Sequence, residues 1–348
     1  MNKVSHDQSS GELRSFLTMD PVPGLLSFDN MALRWFIRRD LLEEKTEPVT
    51  VLWKLPGTQK ILRKQNEDGS LGNIKRKQPA AVNIRLIETW KQFRFLIDMY
   101  GSNRKEPGTA RAAEFIFSCQ TEEGDFRGFL ADQYATYYTG ALLGLLCNAG
   151  YTNDPRVERG FQWLLSMRQD DGGWTIPLLT HYLDGQTMYR FTSSRARPLE
   201  PDRTQPFSHN WTGMVLRAFA AHPVRRSSAE ARHAAALLTS RFFTPDCYSS
   251  YRSADYWVRF QYPFWWNNLV SALDSVTLIL PRVSPEINQA LSWLKDHQAS
   301  DGLWKLSYRK TGHADPARAK EMRGWVTLAI CRVIKRILSK QHIYGGEA

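Results

Sequence analysis

Two carboxylates, one histidine and a set of aromatic side chains carry the chemistry available to this chain. Asp246 and Asp255 lie in a stretch dense in aromatics, with Tyr248, Tyr251, Tyr256, Trp257 and Arg259. A carboxyl group placed among apolar neighbours can hold a proton and deliver it. His209 comes just before Asn210 and Trp211, where an apolar helical pattern begins. It suits a base, a ligand, or a hydrogen-bonded residue at a helix start. We take His209, Asp255 and Asp246 as the candidate catalytic groups. The aromatics gather as Tyr134, Tyr137 and Tyr138, then Trp211, then Tyr262, Phe264, Trp265 and Trp266, then Trp325. Aromatic faces attract cations, and the same faces can stack on sugars. As plain large residues they would wedge helices together. Arg259, between Trp257 and Tyr262, suits a diphosphate or a uronate. The candidate ligand-binding set is Tyr134, Tyr138, Trp211, Trp257, Arg259, Tyr262, Trp265, Trp266 and Trp325.

The elements that must position these groups follow an internal repeat. Four segments share one pattern: 61–72 (ILRKQNEDGSLG), 115–128 (FIFSCQTEEGDFRG), 163–174 (WLLSMRQDDGGW) and 293–304 (WLKDHQASDGLW). Each is an apolar helical stretch, then Gln65, Gln120, Gln169 or Gln298, then polar residues, glycine and a large apolar residue. The gaps between glutamines are 55, 49 and 129 residues, and the last has room for one degenerate copy at 234–243. Apolar residues before each glutamine recur at helical spacing, as in Val157, Phe161, Leu164 and Leu165. Glycine ends the helix where a positive φ is wanted. A second helical pattern follows each turn, and strand signals are nearly absent. The spacing predicts helical hairpins at 48–100, 107–150, 154–222, 228–280 and 284–340, with an extra helix at 31–44 capped by Asp29. One hairpin cannot bury both its faces, so neighbours must stack. Two insertions, 175–206 and 244–262, interrupt the rhythm, and long loops inside a compact domain tend to be functional. Residues 1–28 read as a partly disordered tail, 29–340 as one domain and 341–348 as a second tail.

The repeated Gln…Asp-Gly-x-Trp turns resemble the QW motifs of the terpenoid cyclase and protein prenyltransferase superfamily. The resemblance runs from about residue 29 to 338. The stretches ALRWFIRRDLL, DPRVERGFQWLL and YWVRFQYP further resemble short bacterial squalene-cyclase-like proteins with no assigned reaction. This implies an all-α fold, an α/α toroid of about five to six helical hairpins around a central cavity, with inner-helix starts facing that cavity. It also implies an isoprenoid or related lipid as ligand. The superfamily's cyclases protonate an alkene with a DxDD acid, which this sequence lacks. By position that acid would fall at 207–213 (FSHNWTG), which holds no carboxylate. The superfamily's prenyltransferases bind zinc through Asp, Cys and His. Asp246 and Cys247, with His313, His209 or His181, would be the counterpart, but adjacent side chains rarely converge on one metal. We therefore expect no cofactor, zinc included. Other α/α toroids act on carbohydrates, which leaves a lyase, a glycosidase or a non-catalytic binding ring as alternatives.

Composition narrows the classes. The chain has 348 residues, is 42% hydrophobic and 23% charged, and reads as globular. Four cysteines without a CxxC pair argue against a zinc knuckle or a disulfide framework. The longest apolar run, Gly140 to Cys147, is too short to span a membrane. We expect a cytoplasmic protein. The formal net charge is +11, and ten Lys/Arg against two acids lie between Lys305 and Lys340. The basic run Lys75-Arg76-Lys77 has no nucleic-acid motif beside it, so nucleic acid is not expected as a partner. The terminal helix has an apolar face at Val326, Ile330, Val333, Ile334 and Ile337, with Arg332, Lys335, Arg336 and Lys340 alongside. That rim would suit an anionic membrane surface. The expected ligand is a small apolar or amphiphilic molecule. If Arg259 faces it, a prenyl diphosphate should bind better than a neutral prenol.

Overall fold

A computed structural model describes residues 6–73, 79, 81–248, 253–306 and 316–345. The run 75–77, Tyr251 and His313 lie outside them. The described residues form α-helices, short 3-10 turns and isolated bridges, with no strand among them, so the chain is all-α as expected. It divides into two compact units, residues 49–238 with 245–252, and residues 1–48 with 239–244 and 253–348.

The first of these holds α4 (Pro56–Leu62), α5 (Ile84–Asp98), α6 (Pro107–Ser118), α7 (Thr136–Leu146), α8 (Pro155–Ser166), α9 (Gly185–Ser193), α10 (His209–Ala221) and most of α11 (Ala229–Thr239). The other holds α1 (His6–Phe16), α2 (Pro21–Leu26), α3 (Met31–Asp40), α12 (Leu269–Ile279), α13 (Pro285–Asp296) and α14 (Pro316–Gly345). Residues 6–26, read from sequence as a tail, are largely helical because Leu13, Leu17, Val22 and Leu25 are buried apolar anchors.

The repeat turns are docking plugs. Gln65 donates from Nε2 to the Gly69 carbonyl of its own turn (2.9 Å) and to the Gly108 carbonyl at the start of α6 (2.7 Å). Gln120 repeats this with Gly124 and with Arg156 at the start of α8, both at 2.8 Å. Gln298 does so with Gly302 (2.9 Å) and with Met19, 279 residues earlier (2.8 Å). These three turns thereby satisfy carbonyls at or just before the start of another helix, which explains a glutamine rather than a hydrocarbon there. Gly124 has φ +110, and a Cβ added to it would sit 2.6 Å from the Arg159 carbonyl oxygen of α8. Glycine is therefore required both by the backbone and by the neighbour.

A second constant has no fixed spacing in the sequence. The amide of the large residue after each turn donates to a buried threonine on the following helix: Leu71 to Thr89 (2.9 Å), Phe126 to Thr139 (3.1 Å), Trp174 to Thr212 (2.7 Å) and Trp304 to Thr327 (3.2 Å). These bonds tie each turn to α5, α7, α10 and α14. Thr139→Val is expected to cost about 1–3 kcal/mol, because a buried amide loses its acceptor while shape is kept. Urea unfolding would measure it, and an unchanged midpoint would show that the bond is dispensable.

The third turn departs from the others. Trp174 comes five residues after Gln169, whereas six separate glutamine and apolar residue in the other three. Arg168 takes over the turn carbonyl, donating to Gly172 from Nε (3.0 Å) and Nη2 (2.9 Å). Gln169 instead donates to the carbonyls of Asp202 (2.8 Å) and Gln205 (2.9 Å) in the 175–206 insertion.

Four basic side chains of α14 are used within their own unit. Arg332 pairs with Asp40, Lys335 with Glu43, Arg336 with Asp274, and Lys340 donates to the Leu280 carbonyl. Among the described residues no helix is long and apolar enough to cross a membrane.

Candidate functional site

The starts of α7 and α10 bring the first aromatic groups together. The two helices pack closely, since a Cβ on Gly140 of α7 would sit 2.6 Å from the Val215 Cα of α10. Tyr138 stacks on Phe129 at 3.8 Å and meets Trp90 of α5 edge-on at 4.8 Å. Tyr137 lies 4.3 Å from Tyr138 and 4.5 Å from Trp211. Five rings thus form one continuous cluster, and all five are buried. Tyr134 stands apart from it, 5.7 Å from Trp163.

The cluster already carries a cation. Arg94 of α5 places its guanidinium 4.8 Å from the Trp90 ring. Burial lowers its pKa to about 10, against the opposing fields of Asp98 and Tyr138.

Asp246 arrives where the sequence offered no carboxylate. It is 2% exposed and caps α10 from outside the helix. Its Oδ2 accepts from Ser208 Oγ (2.7 Å) and from the Asn210 amide (3.1 Å), and its Oδ1 accepts from the Tyr248 amide (3.2 Å). A helix start leaves amides without partners and favours an anion there. These bonds describe an acceptor for fixed donors. His209 sits between the two Asp246 contacts in sequence, is buried, and has its ring 5.4 Å from Phe207. The structure therefore brings Asp246 and His209 to one helix start.

Asp255 lies elsewhere, exposed, with Arg259 Nη2 3.9 Å from it. Arg259 is 55% exposed in its side chain. It is not the desolvated charge that an anion preference requires. Trp257 is buried in its own unit, donating from Nε1 to the Thr244 carbonyl (2.9 Å) and packing on Phe242. Tyr262 stacks on Trp325 at 5.7 Å and 5°, and Trp265 meets Trp266 at 6.0 Å. Tyr262 and Trp325 are buried, while Trp265 and Trp266 are partly exposed. The candidate residues thus fall in two groups, Tyr134, Tyr138, Trp211, His209 and Asp246 in one unit and the rest in the other.

For zinc, Asp246 is engaged as above. The Cys247 thiol is pushed up to about 12 by desolvation around its sulfur and by the Asp246 charge, opposite to the shift that prepares a thiolate ligand. Among the described residues no three His, Cys, Asp or Glu side chains gather as a metal site.

One arrangement went unread in the sequence. The Tyr134 hydroxyl lies 2.8 Å from Glu123 Oε2 and 3.1 Å from Glu200 Oε1, so two carboxylates share one phenol. Burial opposes ionisation of Glu123, yet hydrogen bonds from Arg127 and Tyr134 hold its carboxyl below its ordinary range. Burial and these acids push the phenol up, so it keeps its proton. Glu123 and Glu200 are 77 residues apart in sequence, and no local spacing announces the pair.

No protein-family profile matches the chain. A stretch of 57 residues is 39% identical to squalene-hopene cyclase of Schizosaccharomyces japonicus, and it spans 16% of this chain and 8% of that protein. Among solved structures the chain is similar to a protein from Actinoplanes, at 16% identity over 97% of this chain and 100% of that one, with a TM-score of 0.43. It is also similar to the type II terpene cyclase MstE from Scytonema in complex with geranylgeranyl dihydroxybenzoate, at 11% identity over 96% and 87% of the two chains, with a TM-score of 0.41. The chain is thus similar to a squalene-hopene cyclase over one 57-residue stretch, which is 8% of that protein's length.

Proposed function

We propose that the protein binds an isoprenoid or related lipid against the aromatic cluster at the starts of α7 and α10, without the DxDD acid of the cyclases. The observation that carries this is the continuous run of five buried rings, Phe129, Trp90, Tyr138, Tyr137 and Trp211. Such a wall offers π-faces and apolar area to a polyene. Proton donation to an alkene has little support, since Asp246 is committed to capping α10. Binding, or a reaction started by the ligand's own leaving group, fits this wall better. Organic extraction of protein purified from its native host, followed by mass spectrometry, should recover a polyprenyl compound at near one per chain. Recovery of none, with full-length folded protein, would count against the reading.

A carbohydrate-active site is the second reading, and the carboxylates flanking Tyr134 favour it. Paired carboxylates are what glycoside hydrolysis uses. One of the pair would need to hold a proton, and the Arg127 contacts on Glu123 work against that role for Glu123.

A further inference from the structure

We propose that residues 183–199 form a flap fastened by a clasp at Asp132 and Gln133 to the start of α7, the segment that presents the aromatic cluster, and that release of the clasp admits ligand; the gating part rests on the lipid-binding reading above. The insertion is tied to itself at a neck. The Asp202 amide donates to Thr180 Oγ1 (2.9 Å), His181 Nε2 lies 2.7 Å from the Glu200 carbonyl oxygen, and the Tyr182 hydroxyl donates to Gln205 (2.7 Å). Gln169 grips the same neck through Asp202 and Gln205. A loop with its ends joined in this way is a compact unit.

Beyond the neck little holds the flap down. Its helix α9 is capped by Asp184, yet none of its residues is buried, and Tyr189 is 70% exposed. A nine-residue helix has marginal stability by itself, and Met188 and Phe191 on it are only half-buried. The closing contacts are polar and fall on consecutive residues. Asp132 accepts from Arg195 Nη1 (2.7 Å) and from the Ala196 amide (3.2 Å). Gln133 donates to the carbonyls of Ala196 (3.4 Å) and Arg197 (3.2 Å) and accepts from the Leu199 amide (3.0 Å).

The clasp lies at the start of α7. Tyr134 and Ala135 follow it directly, then Thr136, whose hydroxyl donates to the Thr175 carbonyl at the root of the insertion (2.6 Å). Tyr137 and Tyr138 come next. The flap edge is therefore fastened to the segment that presents the aromatic cluster. Its backbone partners can exchange the clasp for water at small cost. Gln133 is fully buried while the clasp is closed, so its bonds to residues 196–199 form away from competing water. Regions held by few apolar contacts open locally without global unfolding.

Hydrogen exchange by mass spectrometry on the full chain tests the clasp, because the Ala196 and Leu199 amides are protected only when it is closed. In Gln133→Ala, peptides covering 195–199 should exchange about tenfold faster or more, with α7 and α8 unchanged. Arg195→Ala, whose side chain is 76% exposed, provides a variant that does not disturb the core, and about threefold is expected. The rate of geranylgeraniol uptake, followed by tryptophan fluorescence in a stopped-flow instrument, should rise in the same order. Unchanged exchange at 195–199 in both variants would overturn the clasp. Faster exchange without faster uptake would overturn the gate. If geranylgeraniol binds none of the three proteins, the lipid reading and the gating fall together, and the exchange data still decide the clasp.

Discussion

Replacing Trp174 by alanine is expected to destabilise the protein by about 3–5 kcal/mol. The indole is wholly buried and packs against Phe219 at 5.5 Å. Its Nε1 donates to the Leu164 carbonyl of α8 (2.6 Å), while its amide donates to Thr212 of α10 (2.7 Å). One residue thus joins both helices of its hairpin. Truncation removes the ring, leaves a cavity and strips the Leu164 carbonyl of a donor at a helix end. Gln169→Ala should cost less, about 1–3 kcal/mol, because its lost bonds are to carbonyls of a partly exposed insertion. Urea unfolding of both variants is the measurement. A Trp174→Ala protein as stable as wild type but unable to bind ligand would mean that the turn is a functional loop.

The second large effect concerns the ligand. Trp211→Ala should weaken geranylgeraniol by about 10–100-fold, which corresponds to losing one large apolar contact of about 1.5–3 kcal/mol. Trp211 ends the aromatic cluster, beside Tyr137 and in the first turn of α10 that Asp246 caps. Arg259→Ala should leave the ratio between geranylgeranyl diphosphate and the prenol within about threefold of wild type, since an exposed ion pair contributes little. Intrinsic fluorescence titration of the three proteins, with circular dichroism to confirm folding, separates the outcomes. A diphosphate advantage that collapses in Arg259→Ala would restore Arg259 as the anion subsite. Unchanged prenol affinity in Trp211→Ala would move the site away from α10.

Much of the architecture is legible before folding, because it is encoded locally. Glutamine, glycine and the large residue sit within six positions of one another, so their pattern survives in one dimension. Apolar spacing before and after each turn identifies the paired helices for the same reason. The glutamine's function, satisfying carbonyls at a neighbouring helix start, follows from the need to pair buried polar groups. The shorter spacing of the third turn is written in the sequence, but only the structure ties it to the diversion of Gln169.

What the tertiary structure alone decided involves partners far apart in the chain. Asp246 reaches the start of α10 from 36 residues away and occupies a position that the sequence left without a carboxylate. Glu123 and Glu200 meet at Tyr134, and Gln133 meets the 196–199 backbone, although neither pairing has any periodic trace. Arg259 and Asp255 were read as site residues from their aromatic neighbours, yet the backbone turns their side chains to solvent. Local sequence specifies which faces of a helix are apolar. Which buried polar group meets which depends on how the hairpins stack and on the path of the insertions, and many weak contacts acting together determine both.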